Sequence, residues 1–162
     1  MDHYFFSREL VIRQPREGDE AAIALNGNNL KIAQQMPALF PSPFTYDDAC
    51  VYVQEKTKQT PPTSFVIIYQ DDVVGCIDLC NNTNNSYNIS IWIGEPYWHN
   101  GIATQSCKWI CQYAKHELKA TKLIANTLES NTAAKKLFEK CNFTQVDYTN
   151  KQKSTCVFMF DL

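Results

Sequence analysis

The sequence has no run of 18 consecutive apolar residues and so offers no membrane-spanning helix. It also lacks a basic excess. Fifteen Lys+Arg stand against 17 Asp+Glu, a net charge of -2, which excludes a protein built mainly on attraction to a phosphate backbone. Glycine is scarce, five in 162 residues, and neither Gly-x-Gly-x-x-Gly nor Gly-Lys-Ser/Thr occurs, so Rossmann and P-loop nucleotide sites are excluded. No Cys-x-x-Cys pair is present and the three histidines are dispersed, so no metal site is expected. The stretch from Met1 to Glu9 lacks the basic and long apolar regions of a signal peptide. The expectation is a cytoplasmic chain that binds neither membrane nor nucleic acid.

What is present is core-forming material. Hydrophobic residues make up 44% and aromatics 12%, enough for residues 1–162 to fold as a single domain without disulfides. The seven cysteines (50, 76, 80, 107, 111, 141 and 156) are odd in number and scattered, the pattern of reduced thiols used as small buried hydrophobes. Cys76/Cys80 and Cys107/Cys111 share a spacing of four, which on a helix places both sulfurs on one face. Of four Asn-x-Ser/Thr sequons, at Asn81, Asn84, Asn88 and Asn142, the first two mark an exposed turn.

Periodicity predicts a mixed fold. Leu10 to Arg13 reads as a strand, Asp19 as the cap of a helix through Leu25, and Leu30 to Gln35 as a short helix. Thr45 followed by Asp48 has the form of a capping box. Ser64 to Tyr69, a turn at Asp71-Asp72 and Val73 to Leu79 form a hairpin, and Tyr87 to Ile93 alternates with period two. From Gly101 the period becomes helical, with Ala103, Cys107, Ile110, Cys111, Ala114 and Leu118 on one stripe. A strand at Leu123 to Ala125, a helix with Ala133, Ala134, Leu137, Phe138 and Cys141, and strands near Phe143 to Tyr148 and Thr155 to Phe160 complete the chain. This order predicts an α+β fold with one mixed sheet. Mostly antiparallel N-terminal strands join a parallel βαβα half, with helices on both faces.

The segment from Tyr97 to Thr104 stands between the alternating strand and the following helix. Backbone N–H groups at a helix N-terminus bind a diphosphate when small residues let it approach, and Gly101 and Ala103 are small. A plain helix start would carry the same Gly-x-Ala, and the position inside a βαβα unit is what marks it as a candidate.

That segment resembles the Gln/Arg-x-x-Gly-x-Gly/Ala motif of the GNAT acyltransferases, with Trp98 at the Gln/Arg position. Tyr97-Trp98-x-x-Gly101-Ile102-Ala103-Thr104 is similar to the RimJ/RimL-like branch, the ribosomal-protein N-terminal acetyltransferases. Asn131-x-x-Ala134-x-x-Leu137-Phe138 with Lys140-Cys141-Asn142-Phe143, and Pro43-Phe44-Thr45 with Asp48-Ala49, resemble two further family segments. The resemblance implies acetyl-CoA as cosubstrate, no metal, and direct attack by an amine. It places the pantetheine arm along Ile91, Trp92 and Ile93, the diphosphate at His99, Asn100, Gly101, Ile102, Ala103 and Thr104, and Asn131 and Phe138 beside the cofactor. A homodimer is left open by the resemblance. Phe138 stands where many relatives carry a Tyr that protonates the thiolate, and Ala134 where the branch often has Ser. Asn142 replaces a Gly at a helix C-cap, a position Asn tolerates.

Only a neutral amine attacks. At pH 7 an α-amine of pKa ~7.8 is neutral to about 14%, whereas a lysine amine is neutral to about 0.04%, so an α-amine needs the weaker base. Glu95 and His99 are the candidate bases, directly or through water, and Tyr97 and Tyr148 the candidate acids. No buried carboxylate pair stands out. Residues 1–95 carry 6 Lys+Arg and 12 Asp+Glu, while residues 96–162 carry 9 and 5, a division that suits an anionic donor and a cationic acceptor as well as it suits solvated faces. The expected activity is acetyl transfer to a protein N-terminal α-amine. A small amine such as a polyamine, amino sugar or antibiotic, and a non-catalytic CoA-binding sensor, remain as alternatives.

Overall fold

A computed structural model describes residues 5–6, 9–146 and 154–162. The elements in chain order are β1 (Phe5–Phe6), β2 (Leu10–Arg13), α1 (Glu20–Gly27), α2 (Leu30–Ala33), α3 (Tyr46–Lys56), β3 (Ser64–Tyr69), β4 (Asp72–Asn81) and β5 (Ser86–Ile93). A 3-10 turn at Glu95–Tyr97 leads to α4 (Ile102–His116), β6 (Lys122–Leu128), α5 (Thr132–Lys140), β7 (Thr144–Val146) and β8 (Thr155–Asp161). One eight-stranded sheet has the order β1-β2-β3-β4-β5-β6-β8-β7.

Its only parallel pair among the described strands is β5–β6, where Ser86, Tyr87 and Asn88 face Lys122, Leu123 and Ile124. The parallel half predicted from the βαβα order is therefore a single strand pair bridged by α4. Beyond it β6 turns antiparallel against β8.

Alternation along the strands divides the apolar residues between two faces. Ile12, Phe65, Ile67, Ile77, Ile89 and Ile93 pack with Cys107, Ile110 and Cys111 of α4 and Phe138 of α5. Val66, Cys76 and Trp92 pack on the other face with Ile23 of α1, Ile32 of α2 and Ala49 and Val53 of α3. Helices thus cover both faces, α1–α3 on one and α4–α5 on the other.

Local chemistry sets most boundaries. Thr45 accepts from the Asp48 N–H at 3.2 Å while the Asp48 carboxylate accepts from the Thr45 N–H at 2.8 Å, a complete capping box for α3. At the end of α5, Asn142 adopts φ 66°, Phe143 N–H donates to Phe138 O at 2.9 Å and Asn142 N–H to Glu139 O at 3.0 Å. With the Phe138 and Phe143 rings 5.3 Å apart, this is a Schellman motif, and Asn fills the left-handed position otherwise given to Gly.

Four expectations are corrected. Asp19 precedes α1 but makes no side-chain cap, because both its oxygens are taken by Arg13, at 2.7 and 2.8 Å. Helix α2 ends at Ala33 rather than Gln35. The β3–β4 turn is Gln70-Asp71, with φ 51° and 70°, the two left-handed residues that a tight hairpin requires. Cys76 and Cys80 lie on a strand, and only Cys76 is buried; Cys107, Cys111, Cys141 and Cys156 are buried and free.

Candidate functional site

Strands β5 and β6 part after Asn88 and Ile124, and among the described strands the rest of β5 keeps only β4 as a neighbour. Gly94 N–H donates to Val74 O at 2.7 Å. By the alternation of an antiparallel ladder, the backbone groups of Trp92 then point to β4, and those of Ile91 and Ile93 to the open side. The Trp98 indole confirms the direction, since its Nε1–H donates at 2.7 Å to Ile93 O. What remains on the open edge is the N–H of Ile93 and both backbone groups of Ile91. Trp92 is placed differently from the other two residues predicted to line a cofactor: its backbone belongs to the ladder and its side chain to the opposite face.

The chain then turns into α4 through His99 (φ 64°) and Gly101 (φ 73°), both left-handed. Asn100 Nδ2 donates to the carbonyls of Tyr97, at 3.1 Å, and Trp98, at 3.3 Å, which fixes the turn. The first intrahelical bond is Gln105 N–H to Gly101 O, and no side chain caps the helix, so the N–H groups of Ile102, Ala103 and Thr104 have no helical partner. A Cβ on Gly101 would meet only Gln105 Nε2, at 4.0 Å, so the space beside Gly101 is open. The Ile102 side chain lies in the core, so that residue offers its N–H alone. Together the edge and the helix end form a row of free donors fit for a long anionic molecule with amide groups. On the β6 arm, the buried Thr127 Oγ1 has no hydrogen-bond partner among the described residues.

Asn131 caps α5, accepting from Ala134 N–H at 3.0 Å, which leaves its amide N–H groups for other partners. Phe138 is 4% exposed between Phe143 and Phe158, so it supports the site from the core and carries no proton to give. Glu95 accepts from Asn29 Nδ2 at 2.7 Å and pairs with Lys31. Lys31 and then Asn29 hold its carboxyl below the usual carboxylate range, which weakens it as a base. His99 is exposed and Tyr97 half-buried. Tyr148 lies outside the described residues.

Across the sheet, on the α1–α3 face, is a cavity of about 510 Å³. Ser90 and Trp92 form part of its wall from β5, Cys76 and Asp78 from β4, and Tyr52 from α3. Tyr52 Oη donates to Asp78 Oδ1 at 2.9 Å. Burial pushes the Asp78 carboxyl above the usual range, against the opposing pull of Ser64, Tyr52 and Lys56. Burial, then the Asp78 charge, push the Tyr52 phenol well above its ordinary value. The sequence reading missed this pair. Its signal was one acid inside the apolar run from Val73 to Leu79, with the parity of Cys76.

Among the described residues no group of three or more His, Cys, Asp or Glu side chains is placed to hold a metal ion, and no helix is long and apolar enough to cross a membrane.

Residues 9–144 match the family model of the acetyltransferase (GNAT) domain. No curated protein matches the sequence. Among solved structures, a GNAT-family acetyltransferase from Bacillus anthracis superposes with a TM-score of 0.85 at 18% identity, covering 98% of each chain. A ribosomal-protein-S5-alanine acetyltransferase from Vibrio fischeri gives 0.83 at 14% identity, covering 99% of this chain and 97% of that one. RimL, a ribosomal L7/L12 alpha-N-protein acetyltransferase in complex with coenzyme A, gives 0.81 at 15% identity, covering 99% and 98%.

Proposed function

The chain belongs to the GNAT acetyltransferase family, and from that premise we propose that all 162 residues act as one domain transferring the acetyl group of acetyl-CoA to a primary amine. The open edge of β5 beyond Asn88, continuous with the uncapped start of α4, carries the reading. Ile91 and the Ile93 N–H pair with the pantetheine amides as an added strand would. The N–H groups of Ile102, Ala103 and Thr104 receive the diphosphate, and Gly101 leaves it room. A donor on the same edge polarises the thioester carbonyl.

In the transfer the amine nitrogen bonds to the acetyl carbon, the C–S bond breaks and the ammonium proton passes to a base. A thiolate of pKa near 8.5 leaves without an obligatory acid, which accommodates Phe138. His99 serves as the base through water, with Tyr97 or Tyr148 available to return a proton. Glu95, tied to Lys31 and Asn29, orients the loop instead.

The acceptor is a protein N-terminal α-amine in the cytoplasm, supported by its low cost of deprotonation and by the RimL and S5-alanine acetyltransferases among the structural neighbours. A non-catalytic CoA sensor is the second reading, favoured by the buried Phe138. The deciding measurement is thiol release from acetyl-CoA with free and N-terminally blocked peptides and small amines. Turnover is expected with free α-amines, and binding without turnover on any amine would favour the sensor. Ala103→Glu is expected to weaken acetyl-CoA at least tenfold by setting bulk and negative charge against the diphosphate; unchanged affinity would reject the placement.

A further inference from the structure

The cavity on the α1–α3 face lies apart from the free donors of the β5 edge and the α4 start, yet it shares a strand with them. Ser90 and Trp92 line the cavity with their side chains while Ile91 and Ile93 turn backbone groups to the open edge, so the cavity lies on one face of the segment whose edge is free.

Aromatic rings share the apolar wall with Ile23, Met36, Leu39 and Val51. Phe40, Phe44 and Trp92 have ring centroids 5.2 to 6.4 Å apart, and the faces of such rings attract cations. The polar part is negative: Asp48, Glu55 and Asp78 line the cavity against the single described cation Lys56. Asp48 is engaged in the α3 capping box and Glu55 is exposed on the helix, whereas Asp78 sits mid-strand among apolar neighbours. A carboxylate there is costly unless something cationic meets it. Tyr52 and Ser64 satisfy part of its capacity, and an ionised carboxylate accepts about four hydrogen bonds. The exposed Leu39 and Val51 stand at the mouth, so the cavity opens to solvent.

We propose that this cavity is the acceptor site and that Asp78 is the carboxylate that receives the acceptor's ammonium. The amine end of the acceptor is then cationic and carried on an apolar or aromatic residue, and an acceptor bearing a carboxylate near its amine is repelled. The word acceptor rests on the acetyl-transfer reading above; the ammonium site rests on the cavity alone.

The test uses phenethylamine and its uncharged counterpart 2-phenylethanol as probes, titrated calorimetrically at pH 7 into the full chain, with acetyl-CoA titrated into the same samples. The wild type is expected to bind the amine at least tenfold more tightly than the alcohol. Asp78→Asn, which keeps the shape and the oxygen that accepts from Tyr52, should erase that preference without changing affinity for the alcohol or acetyl-CoA. Tyr52→Phe, which keeps the carboxylate, should retain the preference. A wild type that does not distinguish the two probes, or an Asp78→Asn protein that still does, overturns the assignment. An amine preference in a protein that does not bind acetyl-CoA upholds the ammonium site and overturns acetyl transfer instead.

Discussion

Asp19 and Asp78 are both carboxylates set against apolar packing, and the fold treats them in opposite ways. Asp19 meets the Arg13 guanidinium through two parallel hydrogen bonds, with both side chains under 10% exposed, and also accepts from Arg16 N–H. A buried guanidinium needs that fork more than α1 needs a cap, which is why a residue spaced as an N-cap became half of an ion pair. Asp78 has no such fork. With its carboxyl raised by burial, the protonated form is favoured in the folded chain more than in the unfolded one. The stability it contributes is therefore present at acid pH, below the ordinary carboxylate value of about 3.9, and lost as pH rises through the folded value. Asparagine mimics the protonated state at every pH. Asp78→Asn is expected to melt higher than the wild type at pH 7, with the two melting temperatures converging as the pH is brought down towards 4. A lower melting temperature for the variant at pH 7 would mean that the charge is already compensated inside the fold. Such a strained carboxylate was legible only as an odd residue in a strand, because sequence parity gives a face and not what covers it.

At the scale of elements, positions whose chemistry is local were readable. The Thr45/Asp48 box opens α3 as the spacing required, the strand at Ser64–Tyr69 has the predicted limits, and Asn142 takes the left-handed cap of α5. The box matters for the site because α3 carries Tyr52. Thr45→Ala is expected to cost about 1 kcal/mol, read as a fall of roughly 2–4 °C in melting temperature. A change within error would show that packing of Ala49 and Val53 alone fixes the helix. Elements set by distant partners were less readable. The two-residue β1 has no periodicity to detect, and its pairing with β2 exists because the sheet continues there. The β3–β4 turn slipped by one residue because a register shift between Ile67 and Ile68 inserts an extra residue, which no alternation count reveals. Trp92 shares β5 with Ile91 and Ile93, and strand parity sends it to the other face.

For the whole molecule, the order of strands and helices was legible in the residues, while an open edge at Ile91 to Ile93 came only through the family resemblance, since periodicity does not show where two strands distant in sequence stop pairing. Three register pairs, Ser86 to Asn88 against Lys122 to Ile124, join the β1–β5 half of the sheet to the β6–β8 half. Helices α4 and α5 supply the rest of the junction from one face. A donor molecule that pairs along Ile91 and Ile93 would act as a strand filling the opening, and binding would tie the halves together. Any ligand that binds only the folded chain stabilises it by mass action, about 2.7 kcal/mol at one hundred times its dissociation constant. For a chain of this size that is a rise of about 5–10 °C in melting temperature. A rise alone would not locate the ligand, but amide exchange would. The N–H groups of Ile91 and Ile93 lie outside the β4 ladder and should exchange quickly in the free protein. With acetyl-CoA they should slow at least tenfold, while Trp92, already paired to β4, changes little. A melting-temperature rise without protection at Ile91 and Ile93 would place the ligand elsewhere and leave the opening as a feature of the fold alone.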